Sequence, residues 1–259
     1  MKTLTKEEIN LMRIAGSLAA KVLAQVGKCV KPGVSTDFLD KKAYDLTLSL
    51  GATPAPLGYR GYPKSICTSV NHCVCHGLPS SYILCEGDIV NIDVTCIKDE
   101  FHGDTSRTFY VGDVSKEAKI ITQCAYEAML KGIAEVKAGK TTGDIGFAIN
   151  KYVTRKGFYP VQDIGGHGIG RNFHEDPFVP SVGKKGKGVV LKENACITVE
   201  PMVNQTGADI KEFDIANSEI KYYETTDKSL SAQFEHTILI TKEGHEVLTH
   251  PEEDFEIGY

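Results

Sequence analysis

The chain has no tryptophan among its 259 residues. It has no run of about 18 apolar residues, the length a membrane-spanning helix requires. Its N-terminus lacks a basic segment followed by an apolar one, so no secretory-signal pattern is present. No Cys-x-x-Cys pair occurs, although there are eight cysteines, Cys29, Cys67, Cys73, Cys75, Cys85, Cys96, Cys124 and Cys196. In a long chain without a secretion signal these read as reduced, mostly buried thiols of a cytoplasmic protein. There is no surplus of basic charge either. The 34 Asp and Glu outnumber the 29 Lys and Arg, for a net charge of −5. That argues against a nucleic-acid binder held by broad basic charge, because counterion release needs clustered cations. What is present, 41% hydrophobic and 24% charged residues, is ordinary globular composition and excludes a disordered or collagenous chain. At this length one large domain or two small ones are accommodated.

Apolar spacing predicts four helices. Residues 5–28 carry Ile9, Met12, Ala15, Ala19, Val22, Leu23 and Val26 on one stripe, with Thr5 and Glu8 forming a capping box. A second helix is predicted over 36–50, stopped by Gly51, and two more over 116–137 and 142–156, the last ended by Gly157. The two pairs repeat. At an offset of 106 residues Val30, Lys31, Gly33, Thr36, Gly51 and Pro54 match Val136, Lys137, Gly139, Thr142, Gly157 and Pro160 without a gap. A duplicated, pseudo-twofold fold follows, with a site between the halves and a seam near Val111-Gly112-Asp113.

Strands lie between the helix pairs. Residues 89–97 alternate, with Val90, Ile92, Val94 and Cys96 on one face and Asn91, Asp93 and Thr95 on the other. A hairpin turning near Lys98-Asp99 would set Asp93 opposite Asp104. Residues 195–203 put Thr198 and Glu200 on one face, and 233–240 put Gln233, Glu235 and Thr237 together. Four acids therefore occupy polar strand faces. Opposed carboxylates repel, so either a cation holds them or the polar face is simply solvated, and spacing alone leaves both readings open. The histidines favour the cation. His167 sits in Gly165-Gly166-His167-Gly168-Ile169-Gly170, where glycines let backbone and ligand approach closely, and His174 follows in Phe173-His174-Glu175.

The strings VNHCVCHG, NIDVT, FHGDTSRTF, GGHGIGRNFHE, TVEPM and SAQFEHT resemble the type I methionine aminopeptidases, along essentially the whole chain and in the family's order. The resemblance implies the α/β "pita-bread" fold: a curved antiparallel sheet flanked by helices, with internal pseudo-twofold symmetry. It implies a single catalytic domain over 1–259, with halves of about 1–111 and 112–259. The family's metal ligands fall on Asp93, Asp104, His167, Glu200 and Glu235. Its catalytic histidines fall on His76 and His174, and its methionine-pocket walls on Tyr59, Tyr62, Cys67 and Phe173. A monovalent-cation site would map near Asn71, Cys73 and Ser231. The implied activity is metal-dependent removal of the initiator methionine from nascent polypeptides whose second residue is small. The implied enzyme is a cytoplasmic monomer, transiently associated with the ribosome, with no nucleic-acid specificity and no membrane partner.

The chemistry of the residues agrees. Four carboxylates and one imidazole make a hard, oxygen-rich site of charge −4, suited to two divalent ions such as Mn, Fe or Co, with Zn also in range. Asp104 and Glu235 would bridge them, Asp93 would chelate one, and His167 and Glu200 would complete the other. Such a pair can hold a hydroxide at neutral pH to attack the polarised carbonyl. Glu200 would take the water's proton, His174 would donate to the oxyanion, and His76 would contact the scissile nitrogen or help the leaving amine. Gln233 and Thr95 would brace the ligands.

Three departures from the family bear on the pocket rim. Lys221, Tyr222 or Tyr223 stands where many relatives close the pocket with tryptophan, residues 206–222 run slightly long, and Pro56 replaces a small thiol residue. No long insertion separates His174 from Glu200, and no zinc-binding extension precedes residue 5, so the minimal bacterial form is the nearest. Two rivals stand: an Xaa-Pro aminopeptidase or prolidase, which usually carries an extra N-terminal domain, and a non-catalytic pita-bread binding protein, which typically lacks metal ligands.

Overall fold

Thr5 begins the first helix as its capping box predicts. Its hydroxyl accepts from the Glu8 N–H at 3.2 Å, while the Glu8 carboxylate accepts from the Thr5 N–H at 3.0 Å. The helices are α1 (Lys6–Gly27), α2 (Thr36–Ser49), α3 (Lys116–Ile133) and α4 (Thr142–Arg155). The third stops four residues before its expected end, because the chain must turn after Ala134 to bring the Gly139 N–H to Leu191 O at 3.0 Å. This computed structural model describes residues 1–250. Residues 251–259, the tail of the expected 112–259 half, lie outside the described residues.

The strands are β1 (Thr53–Pro54), β2 (Cys67–Val70), β3 (Cys73–Cys75), β4 (Ile89–Lys98), β5 (Phe101–Tyr110), β6 (Tyr159–Pro160), β7 (Gly166–Gly168), β8 (Glu175–Val179), β9 (Cys196–Val199), β10 (Met202–Asn204), β11 (Ile210–Asp214), β12 (Lys221–Thr225), β13 (Ser231–Ile240) and β14 (His245–Val247). Among the described residues, eleven of them form one antiparallel sheet around the run β1-β4-β5-β13-β9-β7-β8. β11, β12 and β3 form a separate three-stranded sheet. This is the antiparallel sheet flanked by helices that the resemblance implies.

One face of the large sheet is apolar and carries the helices. Val90, Ile92, Val94 and Cys96 of β4 pack with Ala19, Val22, Leu23 and Val26 of α1 and Leu39 and Ala43 of α2. In the other half, Phe234, Ile238 and Ile240 of β13 pack with Ile121, Ala125 and Met129 of α3 and Ile145 and Ile149 of α4. Because strand side chains alternate, Asn91, Asp93, Thr95, Gln233 and Glu235 point the other way. That second face is not solvated: Asn91, Thr95, Asp104, Gln233 and Glu235 are all buried. The solvated-face reading is thereby excluded.

The duplication extends to the hydrogen bonds. Gly33 N–H reaches Leu84 O at 2.8 Å, as Gly139 N–H reaches Leu191 O at 3.0 Å. Thr36 N–H bonds Tyr82 O and Thr142 N–H bonds Val189 O, each at 3.0 Å. Both glycines have a left-handed φ, 88° and 86°, which no side-chain-bearing residue adopts cheaply. The two halves share one entry into their second helix, and the pseudo-twofold relation is physical.

The β4–β5 register differs from expectation. Asp99 and Glu100, with φ of 48° and 69°, form a two-residue turn. This shifts the pairing so that Thr95 faces Asp104 and Asp93 faces Ser106. Asp93 and Asp104 are diagonal neighbours on one face instead of directly opposed, close enough to be bridged yet not a direct like-charge pair.

Helix α1 crosses β5 at Gly103, next to Asp104. A Cβ there would lie 2.4 Å from the backbone of Ala15 and Gly16. Overpacking of this kind costs about 1–3 kcal/mol. Gly103→Ala is expected to lower the urea midpoint accordingly, and an unchanged midpoint would show that α1 can retreat freely.

Candidate metal centre and substrate cavity

Each candidate ligand arrives on a different element, and local sequence explains why. Asp93 and Asp104 come from the β4–β5 hairpin, and Glu235 from β13, which pairs with β5 through Glu235 and Ser106. Glu200 follows β9 directly and precedes Pro201, where the ladder is interrupted. His167 is the middle residue of β7. The glycines around it serve strand packing more than ligand approach. A Cβ on Gly166 would meet Thr198 O at 2.3 Å, and one on Gly168 would meet Asp176 O at 2.4 Å. The residue at 167 must be flanked by glycines for β7 to fit between β8 and β9.

The protonation of His167 follows from its partners. Its Nδ1 lies 2.9 Å from Gly168 O, a carbonyl that can only accept, so Nδ1 carries the proton. Burial lowers its pKa to about 4, so the ring is neutral. Its Nε2 lone pair then faces Asp104 Oδ2 at 3.8 Å and Glu200 Oε1 at 3.6 Å. The imidazole's own proton is held by Gly168 O, so the ring offers these oxygens a lone pair and not a donor. Metal–ligand bonds of about 2.0–2.2 Å put neighbouring ligand atoms roughly 3–4 Å apart, which is this spacing. Ligand atoms of Asp104, His167 and Glu235 also lie within 4.8 Å of one another. The donor set therefore fits a divalent cation.

The carboxylates register the missing counter-charge. Burial raises the pKa of Asp93 and of Glu200 to about 7. Asp104 and Glu235 are raised well above the usual range, first by burial and then by the neighbouring acids. The bracing bonds expected from sequence are made. Thr95 Oγ1 donates to Asp104 Oδ1 at 2.7 Å, and Gln233 Nε2 donates to Glu200 Oε2 at 3.2 Å. Thr198, not singled out from sequence, donates to Glu200 Oε1 at 2.7 Å and accepts from the His167 N–H at 3.0 Å. It ties two candidate ligands together, and its position on the Glu200 strand face was its only signal.

A cavity of about 250 Å³ opens onto these acids, lined by Tyr59, Tyr62, Cys67, His76, Phe173 and His174 as well as all five candidate ligands. Cys67 is there because β2 pairs it with Asp93. Tyr62 is buried, its hydroxyl held by Ile66 O and Gly77 O at 3.2 Å each. The Tyr59 ring packs on Phe173 (5.0 Å) and His174 (5.3 Å), and its hydroxyl lies 3.0 Å from His174 Nδ1. Desolvation, then the neighbouring His167 and His76, hold the pKa of His174 well below the ordinary histidine range. His76 has a left-handed φ of 56°, a strain of about 1–3 kcal/mol. Its Nδ1 lies 3.0 Å from Lys221 O, which fixes the proton on Nδ1 and leaves Nε2 as acceptor. Burial lowers its pKa.

The rim differs from the expectation in one respect. Of the segment that stands in for tryptophan, Ile220 lines the cavity, while Lys221, Tyr222 and Tyr223 do not. They belong to β12, where Tyr223 pairs with Cys75 and packs its ring edge-on to His76 at 6.3 Å. Pro56 is on the wall, as are Ile164 and Phe178. These last two gave no sequence signal, since nothing local marks an apolar residue that a distant strand will face. The expected monovalent-cation residues are adjacent: the Ser231 N–H donates to Asn71 O at 2.8 Å, and Cys73 begins β3. Asn71 is also tied to Asp88 and the Ile89 N–H, at 2.8 and 3.0 Å. All eight cysteines are free thiols.

The model of metallopeptidase family M24 matches residues 10–242. The chain belongs to this family. Within M24, the methionine aminopeptidase of Rickettsia prowazekii is 48% identical over 251 residues, 96% of this chain and 95% of that protein. The crystal structure of the methionine aminopeptidase from Rickettsia prowazekii superposes with a TM-score of 0.93, covering 96% of this chain and 100% of the other. A prolidase from Pyrococcus horikoshii shares the fold alone, at 23% identity and a TM-score of 0.76, with this chain covering 64% of its length. The chain is thus an M24 metallopeptidase of the methionine aminopeptidase group, and it binds divalent metal.

Ligand binding to the folded state alone stabilises it, by about 2.7 kcal/mol at a hundredfold excess over Kd. Mn²⁺ or Co²⁺ added to chelator-treated protein should therefore raise its thermal midpoint by several degrees. Asp104→Asn should abolish that rise, and an undiminished rise would remove Asp104 from the metal site.

Proposed function

We propose that the chain removes the N-terminal methionine of nascent polypeptides whose second residue is small, using Asp93, Asp104, His167, Glu200 and Glu235 to hold two divalent cations. The observation that carries this reading is that one cavity joins the four acids and the imidazole to the aromatic and thiol wall. An unbranched thioether suits rings and a thiol. At about 250 Å³ the cavity falls below the usual range of about 300–1,000 Å³ for small-molecule sites. It has room for a methionine side chain. Co, Mn, Fe and Zn are the candidate metals.

When bound, the ions supply Lewis acidity to the scissile carbonyl and the attacking water. The chain's own groups do the rest. Glu200 accepts a proton from that water, with Thr198 and Gln233 holding its two oxygens. His174 is neutral. With the Tyr59 hydroxyl donating to Nδ1, its proton lies on Nε2, a donor for the developing oxyanion. His76 offers an Nε2 lone pair to the scissile N–H, since Lys221 O holds its other nitrogen. Tyr59, Tyr62, Cys67 and Phe173 seat the methionine side chain.

The same reading includes a monovalent cation near Asn71, Cys73 and Ser231, supported by the buried Ser231 hydroxyl, which has no hydrogen-bond partner among the described residues. It includes one domain of two halves, about 1–111 and 112–259, supported by their matching hydrogen bonds. It also includes a monomer in the cytoplasm that meets nascent chains at the ribosome. No helix among the described residues is long and apolar enough to cross a membrane.

Cleavage of Met-Gly peptides and failure to cleave a dipeptide such as Gly-Pro, in which a residue other than methionine precedes proline, are expected. The reverse preference would move the chain to the prolidase reading, and no cleavage at all would support a binding protein. A chelator should abolish the activity and Mn²⁺, Fe²⁺ or Co²⁺ restore it, whereas full activity of metal-free protein would contradict the mechanism. Glu200→Gln should lose most turnover. His174→Ala should lower kcat by about 10²–10³-fold, the cost of one oxyanion donor, with a smaller change in KM. A pure KM effect would reassign His174 to substrate binding.

A further inference from the structure

Among the described residues four rings pack against Phe173 on the cavity wall: Tyr59, His102, His167 and His174. Three of them already serve the methionine pocket, the metal or the oxyanion. His102, on β5, does not. Its ring lies 5.7 Å from that of Phe173, with 19° between their planes. This is the offset stacking that aromatic pairs favour. His102 is buried and does not line the cavity. A buried imidazole is a costly way to fill space, because its polar atoms must find partners. Its Nδ1 lies 3.0 Å from Gly170 O, a carbonyl that only accepts, so Nδ1 carries the proton. The His102 backbone N–H donates to the same oxygen at 2.9 Å. Backbone and ring of one residue thus converge on a single acceptor, and this fixes the plane of the ring.

The carbonyl that His102 grips opens the loop that carries Phe173 and His174 from β7 to β8. Other bonds of this loop fix its backbone. Arg171 pairs with Glu8 and Glu100. The Asn172 N–H and side-chain amide both donate to Glu175 Oε1, at 3.1 Å each. The rings of Phe173 and His174 depend on ring contacts. They pack on one another at 4.3 Å and 27°. Tyr59 and His167 touch both, and His102 stacks on Phe173 alone. Side chains two apart on a strand share a face, so His102 and Asp104 project from the same side of β5. One short stretch of β5 therefore supplies both a candidate metal ligand and the support of the ring pair, and it fixes the one relative to the other.

We propose that His102 is a positioning residue: locked to Gly170 O, it stacks on Phe173 and through that ring holds the His174 imidazole in place over the metal centre. The inference rests on the oxyanion role proposed above for His174. Because His102 does not line the cavity, its effect on turnover passes through Phe173 and His174. An apolar side chain at 102 would fill the same volume without being locked to Gly170 O.

The test is a double-mutant cycle on Met-Gly peptide cleavage by the Mn²⁺-loaded chain. His102→Asn removes the ring and keeps a side-chain donor for Gly170 O, which guards the fold. It should lower kcat by about 10–10²-fold, the scale of a 1 Å misplacement, with a smaller change in KM. In the His174→Ala background the same substitution should change kcat by less than about twofold, since residues that act as a unit are not additive. The rise in thermal midpoint on adding Mn²⁺ should match wild type, which separates a displaced ring from a damaged metal site. One readout needs no turnover. The His174 imidazole proton signals, assigned by their loss in His174→Ala, should shift in His102→Asn because the Phe173 ring beside them has moved. That measurement decides the positioning even if wild type cleaves no Met-Gly peptide, a result that would instead remove the proposed function. The inference is overturned if His102→Asn turns over like wild type, if its loss multiplies with that of His174→Ala, if the Mn²⁺ rise disappears, or if the His174 signals stay in place.

Discussion

The site turns on one electrostatic constraint. A neutral imidazole aims its Nε2 lone pair at two carboxyl oxygens 3.6 and 3.8 Å away, and the ring has no proton on that side to give them. The proton is committed elsewhere, to Gly168 O. In a buried setting such an arrangement is costly unless a cation occupies the centre. Much of the surrounding structure serves to impose it. Glycines at 166 and 168 let β7 sit tightly between its neighbours, Thr198 locks His167 to Glu200, and the β4–β5 turn sets Asp93 diagonal to Asp104.

The duplicated fold makes the constraint bearable. Each half contributes a helix pair that covers one sheet face with apolar contacts, so the opposite face can be spent on acids. Stability comes from the helix side and chemistry from the other, a division that strand alternation enforces. The raised pKa values of Asp93, Asp104, Glu200 and Glu235 express what the apolar side must offset when metal is absent.

Much of this was legible in the residues. The capping box at Thr5 and Glu8, the repeat from Val30 to Pro160, and the alternation of residues 89–97 depend on nearest neighbours, and the structure follows them. The strings that resemble the type I methionine aminopeptidases carry all five candidate ligands. The register of Asp93 against Asp104 was missed by two residues, because it rests on whether Asp99-Glu100 or Lys98-Asp99 makes the turn. Ile164, Phe178 and Ile220 entered the cavity wall unannounced, since their neighbours come from distant segments.

The most direct measurement is a crystal of the chain soaked in Mn²⁺, with anomalous difference maps collected near the manganese edge. The account predicts a peak within bonding distance, about 2.0–2.2 Å, of His167 Nε2 and of oxygens of Asp104, Glu200 and Glu235. A second peak is predicted toward Asp93. A map with no peak there, or His167 Nε2 donating a hydrogen bond to one of these carboxylates, would contradict it.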